Sequence, residues 1–173
     1  MRDIKEIKGE VCPICHKKTL ILREQDIEVP FFGKLCVFSM TCTSCKYHQA
    51  DVESEEKKEP VRYTIEINTP EDLKIRVIKS SKAKIKIPHV IEVKPGPVSQ
   101  GYITNIEGIL KRIKHSIEIA RDAEEDKETK KKAWKLIKKI NRVLWGQGKL
   151  KLIIEDPTGN SAIISDKAEK KKL

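Results

Sequence analysis

Alternation of apolar and polar positions predicts that the first half of the chain is built from short β-strands. In a first group, two apolar runs at 20–22 and 27–29 precede an alternating run at 35–42. In a second group, one side of the segment Val61–Ile67 is apolar and the other is polar, as in a strand with one buried face. Three shorter segments in this group are also expected to be strands: 73–78, 83–87 and 89–93.

The period of the apolar positions changes after Pro97. Thr104 and Glu107 have the spacing of a capping box, so we expect a helix from Thr104 to about Arg121. A polar turn at 122–126 leads to a second amphipathic helix, which two glycines at 146 and 148 would end. Two adjacent helices with a short turn form a helical hairpin. The apolar stripe predicted for the second helix is Ala133, Trp134, Ile137, Ile140 and Leu144.

Strand patterns return after the hairpin, at 150–154 and 162–164, with a turn at 156–160 between them. The hairpin, at about 104–147, therefore interrupts a β-domain. The expected fold class is mainly β with an α insertion. Three parts are expected along the chain: a ribbon with a charged linker at 1–58, a β-domain at 59–165, and a frayed, solvated basic tail at 166–173.

Composition and charge narrow the class of protein only partly. The 173 residues carry a formal net charge of +10, which attracts nucleic acid, acidic protein surfaces or anionic lipid without choosing among them. No run approaches the roughly 18 apolar residues of a membrane span, and residues 1–6 lack the apolar core of a signal peptide. We therefore expect a soluble, cytoplasmic protein that does not act at a membrane.

Two C-x-x-C pairs are the strongest chemical signal in the sequence. Cys12 and Cys15 form one pair, and Cys42 and Cys45 form the other. Two such turns can surround one tetrahedral Zn²⁺ ion, although a pair of disulfides or another metal could use the same cysteines. Four thiolates leave no coordination position for water or substrate, so the pattern predicts one structural Zn²⁺ and no zinc catalysis.

The other cysteine and histidine residues near these pairs are predicted to be bystander residues, which do not bind the zinc ion. Cys36 shares the parity of Phe38 and Met40 in the run 35–42, which indicates a small core residue that zinc binding does not need. His16 and His48 lie beside the two cysteine pairs and are expected to be exposed neighbours.

Four ordered blocks of this sequence resemble the ZPR-type zinc-finger proteins. They are the ribbon with its segments 29–32 and 38–42, and then the blocks 72–80, 101–110 and 156–161. Together they cover nearly the whole chain. The module occurs once, as in archaeal members of the family, whereas eukaryotic members carry it twice.

The resemblance implies a zinc ribbon followed by a double-stranded β-helix, which is a jelly-roll-like domain, with an inserted helical hairpin. It also implies a partner, because eukaryotic members bind the GTPase elongation factor that delivers aminoacyl-tRNA and assist its folding. The sequence departs from the family pattern at three places. His16 and Lys46 stand where glycine is usual, Arg76 sits one residue late, and the chain stops soon after Ser161, without the long C-terminal extension.

Two classes of binding function follow from these features. The first is a zinc-dependent protein that binds or chaperones a translational GTPase, with the lysine-rich hairpin meeting an acidic surface. Its candidate partner-binding residues are Lys131, Lys135 and Lys138 of the hairpin, with Asp156, Gly159, Asn160 and Ser161 of the turn, unless that turn is purely structural. The alternative is a zinc-ribbon nucleic-acid-binding protein. The few aromatic residues, with Trp134 in the apolar stripe, argue against it because no stacking platform is left.

An enzyme is not expected, and neither is a small-molecule substrate. None of the four histidines lies in an H-x-D or H-x-H pair, as a metal-dependent oxygenase on a β-helix fold would require. No phosphate-binding loop, dinucleotide fingerprint or serine nucleophile motif is present either.

Overall fold

The computed structural model describes residues 4–30, 32–56 and 58–173. Phe31 of the block 29–32, Lys57 of the charged linker and the first three residues lie outside this range. The described strands are β1 (Lys5–Val11), β2 (Lys18–Val29), β3 (Gly33–Cys42), β4 (His48–Ser54), β5 (Val61–Ile67), β6 (Arg76–Lys79), β7 (Lys84–Ile87), β8 (Ile91–Val93), β9 (Tyr102–Asn105), β10 (Leu150–Asp156), β11 (Ala162–Ile164) and β12 (Glu169–Lys172). The helices are α1 (Ile106–Ala123) and α2 (Lys127–Leu144), and Pro70–Lys74 forms a 3₁₀-helix.

The first four strands form one antiparallel sheet in the order β1-β2-β3-β4. The two runs predicted as separate strands, 20–22 and 27–29, belong to the single strand β2. The polar residues between them stay in the ladder because their backbone pairs with β3, as Gln25 does with Val37. The charged linker was predicted at Glu53–Glu59, but β4 extends to Ser54, so its first two residues are strand.

The remaining strands form two sheets, in the orders β12-β5-β10-β7-β8 and β11-β6-β9. Both sheets and both helices contribute to one apolar core, in which Ile65, Leu152 and Ile140 are among the most buried side chains. The predicted fold class, mainly β with a helical insertion, is confirmed. Leu73 is not in a strand as predicted, because Pro70 and the capping carboxylate of Asp72 favour a 3₁₀-helix there.

The C-terminal residues are also ordered differently from the prediction. Residues 166–173 were expected to be a frayed tail, but Glu169–Lys172 form β12 and pair with β5. Its side chains are exposed, so backbone hydrogen bonds rather than burial hold the strand in place. Lysines on an edge strand also oppose pairing with other chains.

The hairpin begins one residue later than the capping pattern indicated. Asn105 rather than Thr104 is the N-cap of α1, because the Asn105 side chain accepts a hydrogen bond from the Gly108 N–H at 2.8 Å. Thr104 belongs to β9, a strand that the sequence did not suggest. The apolar stripe of α2 is buried at Ile137 and Ile140, as predicted, and also at Val143.

Trp134 does not lie in the buried stripe of α2, and this corrects the prediction. Its side chain is 50% exposed, and the Arg121 guanidinium lies 4.2 Å from the ring centre. Trp134 borders the stripe, so a small rotation of the helix decides whether the ring faces the core or solvent. The smaller side chain of Ala133 packs against the core instead and is partly buried.

The ribbon and the β-domain share a second apolar core. Val29, Leu35 and Val52 of the ribbon pack with Ile78 and Ala162 of the β-domain. The buried face of β3 is therefore the one that carries Leu35, and Cys36, Phe38 and Met40 lie on the other face. The predicted core position of Cys36 is wrong for this reason: it is half-buried beside Glu24 and Asp26.

Candidate metal centre and partner surface

The loops that join β1 to β2 and β3 to β4 bring the four predicted cysteines together. All four sulfur atoms of Cys12, Cys15, Cys42 and Cys45 lie within 4.8 Å of one another. Cys12 Sγ lies 3.7 Å from Cys45 Sγ, and Cys15 Sγ lies 3.7 Å from Cys42 Sγ. A tetrahedron with Zn–S bonds of about 2.3 Å has edges of about 3.8 Å, so the cluster fits a Zn²⁺ ion.

Both cysteine turns have the same backbone conformation. The His16 N–H donates to the Cys12 carbonyl at 2.9 Å, and the Lys46 N–H donates to the Cys42 carbonyl at 3.1 Å. His16 and Lys46 have φ angles of 57° and 64°, the left-handed conformation that favours glycine. These two departures from the family pattern therefore carry a strain of about 1–2 kcal/mol each. The turn keeps this conformation because it aims both sulfurs at one point.

Hydrogen bonds to sulfur surround the cluster and stabilise the thiolate form of Cys42. Backbone N–H groups of Ile14 and Cys45 donate to Cys12 Sγ and Cys42 Sγ, each at 3.4 Å. The Thr19 hydroxyl lies 3.2 Å from Cys42 Sγ, and together with the backbone N–H groups of Cys45 and Ser44 it lowers the pKa of the Cys42 thiol to about 6. Thr19 was not predicted from the sequence. A Thr within a β-strand has no distinguishing pattern until the fold brings its hydroxyl to the sulfur.

The bystander residues lie outside the cluster. His16 and His48 are exposed, and His48 Nδ1 is 2.9 Å from the Thr41 hydroxyl. Cys36 is surrounded by carboxylates instead of thiols. Burial, together with the negative charges of Glu24 and Asp26, raises the pKa of the Cys36 thiol, which keeps it protonated.

The candidate partner surface on the hairpin is the outer side of α2. Lys131, Lys135 and Lys138 are all exposed there. Eight of the 18 residues of α2 are Lys or Arg, and Glu128 is its single carboxylate. Within the part of the chain that the structure describes, none of these eight cations forms an ion pair. The positive charge of this surface is therefore not neutralised internally.

The turn at 156–161 has an internal role that corrects part of the predicted surface. Asp156 and Ser161 are each 0% exposed, so no partner can touch their side chains in this conformation. Asp156 accepts hydrogen bonds from the hydroxyls of Ser80 at 2.8 Å and Ser161 at 2.5 Å, and from Thr158. These bonds join the ends of β6, β10 and β11.

The other two residues of this turn hold the ribbon against the β-domain. Asn160 Oδ1 accepts a hydrogen bond from the Ser54 N–H at 3.1 Å. Gly159 has a φ of 73°, and a side chain there would overlap the Glu59 carbonyl. Close approach of the linker therefore requires glycine at 159. Direct partner contact through Gly159 and Asn160 stays a prediction.

Neither helix of the described residues has the length and apolar character needed to cross a membrane.

The two domains of the fold each match a family model. Residues 4–60 match the ZPR1 zinc-finger domain, and residues 71–173 match the ZPR1 jelly-roll domain.

Several known proteins are similar to this chain. A ZPR1-like protein of Methanocaldococcus jannaschii is 37% identical over 164 residues, which cover 94% of this chain and 83% of that protein. A ZPR1-like protein of Pyrococcus horikoshii is also 37% identical, over 98% of this chain and 78% of that protein. The zinc finger chaperone zpr1 of Schizosaccharomyces pombe is 29% identical over 78% of this chain, which spans 30% of that longer protein.

Proposed function

Because this chain belongs to the ZPR1 family of zinc-finger proteins, we propose that it is a zinc-stabilised binding protein for a translational GTPase. The partner would be the elongation factor that delivers aminoacyl-tRNA, bound mainly in its non-native or nucleotide-free form. The protein would act in the cytoplasm and catalyse no covalent reaction. Two observations support a binding role: one similar protein is named a chaperone, and four cysteines complete the metal shell without an open position.

The observation that carries the proposal is the uncompensated charge of α2. α2 carries eight cations beside one carboxylate, and on the isolated protein only water solvates these charges. An acidic partner surface is therefore attracted electrostatically to α2. Charges at the rim of an interface mainly steer the encounter and so raise the association rate. Lys131, Lys135 and Lys138 lie at the centre of this array.

Biolayer interferometry with the zinc-loaded protein and the purified GTPase of the same organism tests the proposal. Native, nucleotide-free and refolding GTPase are compared. Reversal of charge at Lys131, Lys135 and Lys138 should slow association more than it speeds dissociation, and salt should weaken binding because the Debye length is about 8–10 Å near physiological ionic strength. A matched control reverses Lys8, Lys34 and Lys94, which are exposed lysines outside α2. No binding to any form of the GTPase contradicts the proposal.

A further inference from the structure

Both tryptophans of the chain are exposed on α2, on the same side as its cations. Trp134 is 50% exposed, and Trp145, which caps the C-terminus of the helix, is 70% exposed. Tryptophan normally buries most of its surface, so a chain that exposes both of its tryptophans leaves two large apolar rings unpartnered. This arrangement is the opposite of what the sequence pattern indicated for Trp134.

The two rings lie in line along the helix. Trp134 and Trp145 are eleven residues apart, which is three turns and a rise of about 16 Å. Lys138 follows Trp134 by one turn and precedes Trp145 by two, so it lies between them on the same stripe. The Arg121 guanidinium lies over the Trp134 ring at 4.2 Å from its centre, and half of the Trp134 side chain stays exposed to solvent.

Six of the eight residues that line a groove beside this stripe carry side-chain hydrogen-bond donors. Its volume is about 420 Å³, and it lies between the last turns of α2 and the loop before β10. No carboxylate lines it. Its polar lining is Lys135, Lys138, Lys139, Arg142, Gln147 and Lys149.

We propose that this stripe of α2 binds single-stranded nucleic acid. The cations of the groove would follow the phosphate backbone, and Trp134 and Trp145 would stack on bases. A basic groove combined with aromatic rings is the common solution for single-stranded binding, because every base has a flat face and every nucleotide carries a phosphate. The inference adds a second ligand to the surface proposed for the GTPase: Lys135 and Lys138 belong to both sites, so nucleic acid and the GTPase would compete.

One observation favours nucleic acid over an acidic protein as the ligand of this groove. A second favours α2 over the ribbon as the nucleic-acid-binding surface. Lysine is depleted at protein–protein interfaces, whereas four of the five cations in this groove are lysines. The ribbon residues 4–56 contain nine carboxylates but only seven Lys and Arg residues, so the ribbon is not the basic surface that a nucleic-acid-binding ribbon would need.

The test uses the full-length, zinc-loaded protein and oligonucleotides of uridine or thymidine about 15 residues long, which is within the usual site size. Because both tryptophans lie in the proposed site, base stacking should quench the intrinsic fluorescence directly. Five phosphate contacts predict a slope of about −3.5 for log K against log salt with a single strand. Tighter binding of the uridine strand assigns the site to RNA, and tighter binding of the thymidine strand assigns it to DNA.

Variants separate stacking from charge when affinity is measured by anisotropy of a labelled oligonucleotide. Trp145→Ala should weaken binding roughly 5- to 100-fold with the salt slope unchanged, and Trp145→Phe should restore most of the affinity. Lys138→Gln with Arg142→Gln should reduce the slope by about 1.4. The control pair Lys82→Gln with Lys94→Gln removes the same charge from exposed lysines outside the stripe and should leave the slope unchanged.

Three results would overturn the inference. One is no binding of either oligonucleotide at low salt. The second is an equal loss of affinity in the control pair, because that indicates non-specific attraction to net charge. The third is tighter binding of polyglutamate than of either oligonucleotide, with no effect of Trp145→Ala, because that assigns the surface to acidic proteins.

Discussion

The ion pair between Asp72 and Lys167 gives a prediction whose size can be worked out from the structure. Asp72 is 2% exposed, and its Oδ1 accepts a hydrogen bond from Lys167 Nζ at 2.6 Å. Its Oδ2 accepts two more from the backbone N–H groups of Asn68 and Thr69, both at 2.9 Å. The Lys167 ammonium first, and then these backbone donors, lower the pKa of Asp72 from 3.8 to about 2.

A carboxyl group whose pKa is lower in the folded than in the unfolded state stabilises the fold at pH values above its unfolded-state pKa. This contribution is lost as the pH falls through the folded-state pKa. The shift of Asp72 corresponds to about 2.5 kcal/mol at neutral pH, which falls to roughly half by pH 3. Asp72→Asn should therefore lower the free energy of unfolding by about this amount at pH 7, and by clearly less at pH 3.

Urea unfolding of the wild type and the variant at matched pH values measures this difference. Zinc content is measured at each pH and only samples of equal content are compared, so that the difference between the two proteins isolates Asp72. Asp166→Asn is the control, since Asp166 is an exposed carboxylate next to Lys167 in the chain. An Asp72→Asn effect that is equal at pH 7 and pH 3 would refute the electrostatic reasoning and indicate a purely structural role for the side chain.

The other predictions concern the metal and the joint between the two modules. Cys42→Ser should abolish stoichiometric zinc, whereas Cys36→Ser should retain one Zn²⁺ per chain, as metal analysis by mass spectrometry will determine. A chelator should disorder the two cysteine turns first and leave the shared core of Val29, Leu35 and Ile78 protected from hydrogen exchange; early loss of that protection would show that the core depends on zinc. Asn160→Ala should cost about 1 kcal/mol in chemical denaturation, because the Ser54 N–H loses its acceptor, whereas an unchanged midpoint would mean that water replaces this bond. Limited proteolysis should cut first within 55–59 or 122–126, and a first cut at 83–93 would contradict the predicted domain boundary.

Local patterns of the sequence were sufficient for several of the elements and for the metal ligands. The strand Val61–Ile67 has the predicted bounds because one of its faces is apolar throughout. The four cysteines converge as predicted because each C-x-x-C turn aims two sulfurs the same way whatever surrounds it. The second helix is also close to its predicted bounds, since capping and glycine signals at its two ends act within one turn.

Two of the wrong predictions concern which face of a strand or helix is buried. Both faces of β3 carry apolar residues, so only contact with Ile78 and Ala162, distant in sequence, decides that this end of the strand is buried at Leu35 and not at Cys36. Trp134 is exposed for the same kind of reason. It borders the apolar stripe of α2, and the packing of the helix places Ala133 rather than Trp134 against the core.

What the sequence determined by itself is therefore local: the period of each segment, the spacing of the cysteine pairs and the excess of positive charge on α2. The tertiary structure alone decided the buried faces, the pairing of β12 with β5 and the internal role of Asp156. Strand pairing through the backbone leaves no side-chain pattern, and the burial of Asp156 depends on Ser80, which lies 76 residues away in the chain. The line of tryptophans and lysines on α2 also required the structure, because a helical repeat places residues on one stripe but does not say which stripe faces water.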